Sequence, residues 1–169
     1  MQSGHLHAVR GRGGGTFVAD APAQIASRSE LVDWRERCDV RLAVEVGVAY
    51  LAAERAVAAS IDLLGDLVGE MAASDDDFAA YRRADVRFHV GLAEATGSPY
   101  LVAAMTEAQG AMTDLIAYIA HPPEVLEWSN AQHARVVGCL ERHDPATAVK
   151  IMAEHLRGTE HVLAGLLPS

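Results

Sequence analysis

FAAYRRADVRFHVGLAEATGSP, residues 78–99, decides the fold. Phe78, Tyr81, Asp85, Phe88, Leu92 and Ala95 follow one another at steps of three and four, the spacing of a single helical face. Gly97-Ser98-Pro99 then ends the helix, because glycine permits the terminating turn and proline cannot continue the ladder. Asp85 occupies the middle of an otherwise apolar stripe, and His89 lies one turn further on the same side. A buried, uncompensated carboxylate costs several kcal/mol, so this pair requires partners from elsewhere in the chain.

Two later segments supply them. In residues 123–142 the inward stripe runs Leu126, Asn130, His133, Val137 and Leu140. In residues 145–166 it runs Ala148, Met152, His155, Thr159, Val162 and Leu166. Each histidine therefore stands where a leucine ordinarily would. A single histidine in such a stripe reads as a hydrogen-bonded core residue. Three of them beside Asp85 are enough to hold a divalent transition metal, with zinc or nickel suited to a nitrogen-rich set. The other histidines serve as controls: His121 and His143 fall in proline-bearing turns, His161 on a polar helix side, and His5 and His7 in the N-terminal stretch.

The rest of the chain from Ser27 onward is helical in pattern. Ser27 or Ser29 offers an N-cap to SRSELVDWRERC, and residues 40–57 are apolar on most faces, as a central buried helix would be. Residues 58–72 carry Ile61, Leu64, Leu67, Val68 and Met71. SDDDF opens the helix at about 76–95, a further helix spans about 99–119 and stops before Pro122-Pro123, and HDPAT turns into the last one. Six or seven helices with short connections predict an all-α, antiparallel bundle. Residues 1–20 differ: HLHAV and TFVAD flank GRGGG, a β-hairpin signal whose glycines lack the phosphate-binding spacing. The expected organisation is thus a hairpin over 1–20, a linker over 21–26 and a helical domain over 27–169.

Composition narrows the function. Half of the 169 residues are hydrophobic but only 5% are aromatic, which favours closely packed, alanine-rich helices. A net charge of −9 argues against the chain as a whole gripping nucleic acid. No uncharged apolar run reaches membrane-spanning length, and Cys38 and Cys139 have no motif spacing, so a cytoplasmic protein with reduced thiols and no membrane partner is expected. No nucleophile elbow, zinc-protease, P-loop or C-x-x-C motif occurs. Arg41 and Glu45, four apart, admit two readings. One is an ordinary intrahelical ion pair worth a few tenths of a kcal/mol. The other turns Arg41 inward to meet an anionic ligand, since a guanidinium grips a carboxylate bidentately.

DVRFHVGLAEATGSPYL (85–101) and NAQHARVVGCLERHDPATAVKIMAEHL (130–156) resemble the C-terminal effector-binding domain of FadR-type regulators in the GntR superfamily. RLAVEVGVAYLAAERA (41–56) is similar to that family's Arg-x-x-x-Glu helix, and RGRGGGTFVAD (10–20) to the wing of its winged helix-turn-helix domain. Ser98 departs from the pattern, where the family often has Asn. The resemblance implies a homodimeric transcription regulator whose helical domain binds a small carboxylate metabolite beside a metal. On it, Asp85, His89, His133 and His155 match the metal ligands and Arg41 a pocket-lining arginine. Arg10 and Arg12 match wing residues that touch DNA, and the operator-reading part of the DNA-binding domain is not in these residues. A helical-bundle metalloenzyme, using the same Asp and three His to activate water or oxygen, is the alternative.

Overall fold

A computed structural model describes residues 6–8, 16–18, 28–74, 77–116 and 122–165. The chain divides into two units, Met1–Arg35 and Glu36–Ser169. In the first, β1 (Leu6–Ala8) and β2 (Thr16–Val18) pair antiparallel with His7 opposite Phe17, as the alternating stretches predict. The glycine run between them, with Arg10 and Arg12, and the expected linker at 21–26 lie outside the described residues.

Six helices follow: α1 (Arg28–Arg55), α2 (Ala58–Ala72), α3 (Phe78–Ala95), α4 (Pro99–Ile116), α5 (Pro123–Glu141) and α6 (Pro145–Gly165). The all-α bundle expected from the spacing is what forms, with six helices among the described residues. The segments at 27–38 and 40–57 join into α1, because no proline interrupts them and the single Gly47 is tolerated in a long helix. Ser29 accordingly lies inside α1 rather than capping it. The apolar pattern of residues 40–57 predicts burial on most faces, but α1 buries one side only. Val48, Ala49, Ala52 and Ala53 are fully enclosed, whereas Val40 and Tyr50 remain 56% and 42% exposed.

Local chemistry sets the helix ends. Asp77 accepts a hydrogen bond from the Ala80 amide at 2.9 Å and caps α3. Gly97 adopts φ +72°, the left-handed turn that a side chain would resist, and releases the chain from α3. Ser98 then accepts from the Leu101 amide at 3.4 Å, so the residue that departs from the family pattern still caps α4. Pro123 opens α5, and Asp144 caps α6 by accepting from the Thr147 amide.

The core is built where α2 packs on α3 and α5, α5 on α6, and α3 on α4. Phe88, Leu92, Leu64, Leu67, Met105, Leu140 and Met152 are among its largest enclosed apolar side chains. Gly91 permits the close α2–α3 approach: a Cβ there would stand 3.1 Å from Leu64 Cδ2. These contacts fix α3, α5 and α6 so that their inward stripes face a common centre. Among the described residues no helix is long and apolar enough to cross a membrane, and Cys38 and Cys139 are free and buried.

Candidate metal centre

Three helices deliver four candidate ligands to that centre. Asp85 and His89 come from consecutive turns of α3, His133 from α5 and His155 from α6. His89 and His133 are wholly enclosed, and Asp85 and His155 nearly so. One nitrogen from each imidazole lies within 4.8 Å of the others. His133 Nε2 is 3.3 Å from His155 Nε2, while Asp85 Oδ1 is 3.5 Å from His133 Nε2 and 3.6 Å from His89 Nε2. Bonds of about 2.0–2.1 Å arranged tetrahedrally separate neighbouring ligand atoms by about 3.4 Å. The donor set and its spacing therefore fit a zinc- or nickel-sized ion.

The protonation states of His133 and His155 fit as well. Burial drives His133 down to about 3 against a partial counter-pull from Asp85. His155 is driven well below the usual range by burial and by its histidine neighbours. Both are neutral imidazoles near pH 7, the form that coordinates. Burial would lower His89 too, but Glu45 and Asp85 together raise it. Burial disfavours ionised Asp85, yet contacts with His89, His133 and Arg82 hold its carboxyl well below the usual value.

A buried polar ring surrounds the candidate ligands. Glu45 Oε2 lies 2.5 Å from His89 Nδ1, with the other ring nitrogen 3.6 Å from Asp85 Oδ1. Carboxylate contacts of this kind orient metal-binding histidines. Glu45 Oε1 accepts from Arg41 Nε at 2.6 Å and from Gln109 Nε2 at 2.8 Å. Burial opposes its charge, but His89 and Arg41 hold Glu45 at about 2. Arg82 Nη1 donates to Asp85, and its Nη2 donates to Gln109 Oε1 at 3.2 Å. Gln109 thus joins the two carboxylate–arginine pairs.

Beside Asp85 and His155 opens a cavity of about 380 Å³. Arg41, Arg82, Asp85 and His155 form one part of its wall, and Phe78, Tyr81, Val125, Leu126, Trp128 and Val162 contribute most of the rest. Such a volume falls within the usual range for small-molecule sites.

All four residues marked by their stripes converge, and Arg41 reaches the cavity beside them. Its pairing with Glu45 is intrahelical, yet at 3% and 0% exposure it is no surface ion pair. Arg10 and Arg12 lie outside the described residues, as do His5 and His121. His161 is exposed, and His143 lies at a turn with Nδ1 3.1 Å from the Ala53 carbonyl oxygen, away from the cluster. Sequence reasoning passed over the Glu45–His89 contact, Arg82 and Gln109. The signal for Gln109 was present: it interrupts the buried α4 stripe of Met105, Ala108, Met112 and Ile116.

The FCD domain family matches residues 36–158. The HTH-type transcriptional regulator LutR of Bacillus subtilis is 25% identical over 166 residues, covering 91% of this chain and 76% of LutR. The HTH-type transcriptional repressor NanR of Escherichia coli is 34% identical over 125 residues, covering 69% of this chain and 45% of NanR. The chain thus spans less than half of NanR's length. Among solved structures, E. coli McbR/YncC superposes with a TM-score of 0.73 at 16% identity, over 96% of this chain and 74% of that one.

Proposed function

The chain belongs to the FCD domain family, and from that premise we propose that it senses a small carboxylate beside a divalent metal within a GntR-type transcriptional regulator. Asp85, His89, His133 and His155 hold the ion, zinc or nickel, and Arg41 faces the effector. The observation that carries this reading is the buried convergence of three imidazole nitrogens within 4.8 Å of one another, with Asp85 Oδ1 3.5 Å from His133 and 3.6 Å from His89. When bound, the metal would act as a Lewis acid, taking a carboxylate oxygen or water as a further ligand by expanding beyond the four protein donors. The chain's own residues do the rest: Glu45 fixes the His89 ring, Arg82 positions Asp85, and Arg41 offers a buried cation.

Regulation then requires that the liganded and free domains differ in arrangement, so that the effector shifts a population rather than performs chemistry. The regulator works as a cytoplasmic homodimer, and operator DNA is engaged by a winged-helix unit whose wing is the hairpin at 1–20, with Arg10 and Arg12 touching DNA. A metalloenzyme finds less support. Both carboxylates of the cluster are already engaged, Asp85 by Arg82 and Glu45 by Arg41, Gln109 and His89.

Metal analysis tests the reading. After equilibration with zinc or nickel and gel filtration, the wild-type protein should retain about one ion per chain. The Asp85→Ala/His155→Ala variant should retain none. A folded wild type that keeps neither ion would overturn the assignment.

A further inference from the structure

We propose that the effector is a carboxylate carrying an apolar tail, rather than a polyhydroxylated or dicarboxylic acid. This inference rests on the cluster being an effector site and names the ligand class that site takes.

The head end of the cavity is cationic and underused. Arg41 spends Nε on Glu45 and Arg82 spends Nη1 on Asp85, yet Arg41 Nη1 and Arg82 Nε are buried without a hydrogen-bond partner. Both arginines line the cavity and are at least nine-tenths buried. A buried donor left unmade costs about 1–3 kcal/mol, so two such N–H groups at one end call for an anion.

The tail end is different in kind. From Asp85 back to Phe78, and from His155 on to Val162, the wall runs seven residues along α3 and α6, about 10 Å at the helical rise. Along that length it presents Phe78, Tyr81, Val125, Trp128 and Val162. Few polar groups are available there. The Tyr81 hydroxyl donates to the Leu126 carbonyl at 3.3 Å and also engages Ser129, which leaves Thr159 and the rim carboxylate of Glu124 to serve ligand hydroxyls. A sugar acid would bury hydroxyls against carbon. The exposed carboxylate in the wall, Glu124, would repel a second acid group at the tail.

Trp128 makes this wall continuous. Its ring lies against α6 at Gly158, where a Cβ would come within 2.8 Å of Cζ3 and 2.9 Å of Cη2. The indole is still 51% exposed, a large apolar surface at the cavity that a ligand's tail would cover.

Calorimetric titration of the zinc-equilibrated protein with three probes decides the matter: phenylbutyrate, phenylbutanol and gluconate. Phenylbutyrate should bind at least tenfold more tightly than either of the others. Trp128→Ala should weaken phenylbutyrate about tenfold, leave gluconate unchanged and keep the bound zinc. Gluconate binding as tightly as phenylbutyrate, or an unchanged phenylbutyrate affinity in Trp128→Ala, overturns the apolar tail and leaves the carboxylate site standing. Phenylbutanol matching phenylbutyrate overturns the anionic head, and with it the site's reading as a carboxylate sensor. No heat from any probe overturns both, while the zinc content reports separately on the metal ligands.

Discussion

Replacing Glu45 with Gln tests whether this carboxylate sets the coordinating face of His89. The change is isosteric, so the amide's carbonyl oxygen can still accept from Arg41 Nε and Gln109 Nε2, which now donate to Oε1 at 2.6 and 2.8 Å. The amide NH2 must then take the place of Oε2, 2.5 Å from His89 Nδ1. A donor there obliges Nδ1 to accept, which moves the ring proton to Nε2, the atom 3.6 Å from Asp85 Oδ1. Coordination through Nε2 would have to expel that proton and leave Nδ1–H facing the amide NH2 in place of the Glu45 carboxylate. Losing a hydrogen bond to a charged group costs about 1.5–3 kcal/mol, and changes behind a metal-binding histidine lower affinity about 10–100-fold. We expect zinc affinity to fall by about 10–100-fold, read by competition with a chromophoric chelator near neutral pH. Urea unfolding of the metal-free variant supplies a second readout, because Arg41 loses its buried counter-charge and removing one partner of such a pair costs about 3–5 kcal/mol. Zinc held by a folded Glu45→Gln variant as tightly as by wild type would refute the orienting role.

Metal-free stability should peak near the ordinary histidine pKa of about 6.5. Below that value the unfolded chain protonates His133 and His155, whereas the fold keeps them neutral, with His133 at about 3. Stability therefore falls on acidification by up to about 1.4 kcal/mol per pH unit for each histidine. His89, raised in the fold, contributes fully below its unfolded value and loses that contribution as pH rises through its folded value. Urea midpoints that stay flat from about pH 5 to 8 would contradict these assignments. Zinc at about a hundred times its dissociation constant should add about 2.7 kcal/mol, visible as a higher thermal midpoint that a chelator reverses; an unmoved midpoint argues against a native site. Gly158→Ala forces the Trp128 ring off α6, since the added Cβ would sit 2.8 Å from Cζ3. Because the indole is half exposed it can swing outward, so the expected outcome is redder tryptophan emission with little loss of stability.

Periodicity made much of this legible. Asp85, His133 and His155 were visible as interruptions of apolar stripes, and helices α3, α5 and α6 then delivered them to one point. The Glu45–His89 contact was not readable, because it joins side chains of α1 and α3 from residues 44 positions apart, which no local pattern encodes. Spacing showed that Arg41 and Glu45 share a face, but only the packing of α1 against the bundle decides whether that face is wet or dry. The apolar character of residues 40–57 misled in the opposite direction, since α1 leaves Val40 and Tyr50 outward. Gln109 satisfied the same stripe test as the histidines, but a lone amide in a stripe has many unremarkable explanations.

The polar centre is better understood as a receptor than as a staple. Among the described residues, α1, α3, α4, α5 and α6 all place polar side chains in it, and well-packed apolar residues of equal volume often hold a bundle as well. What those residues provide instead is linkage. Arg82 faces the cavity while holding both Asp85 and Gln109, Gln109 holds Glu45, and Glu45 holds His89. An anion drawn to Arg82 competes with Asp85 and Gln109 for one guanidinium. Its arrival therefore bears on α3 and α4 at once, and through Gln109 on α1. A sensor needs a ligand whose binding free energy differs between two helix arrangements, and on the proposed reading the guanidinium that Asp85 shares with the cavity is where that difference would arise.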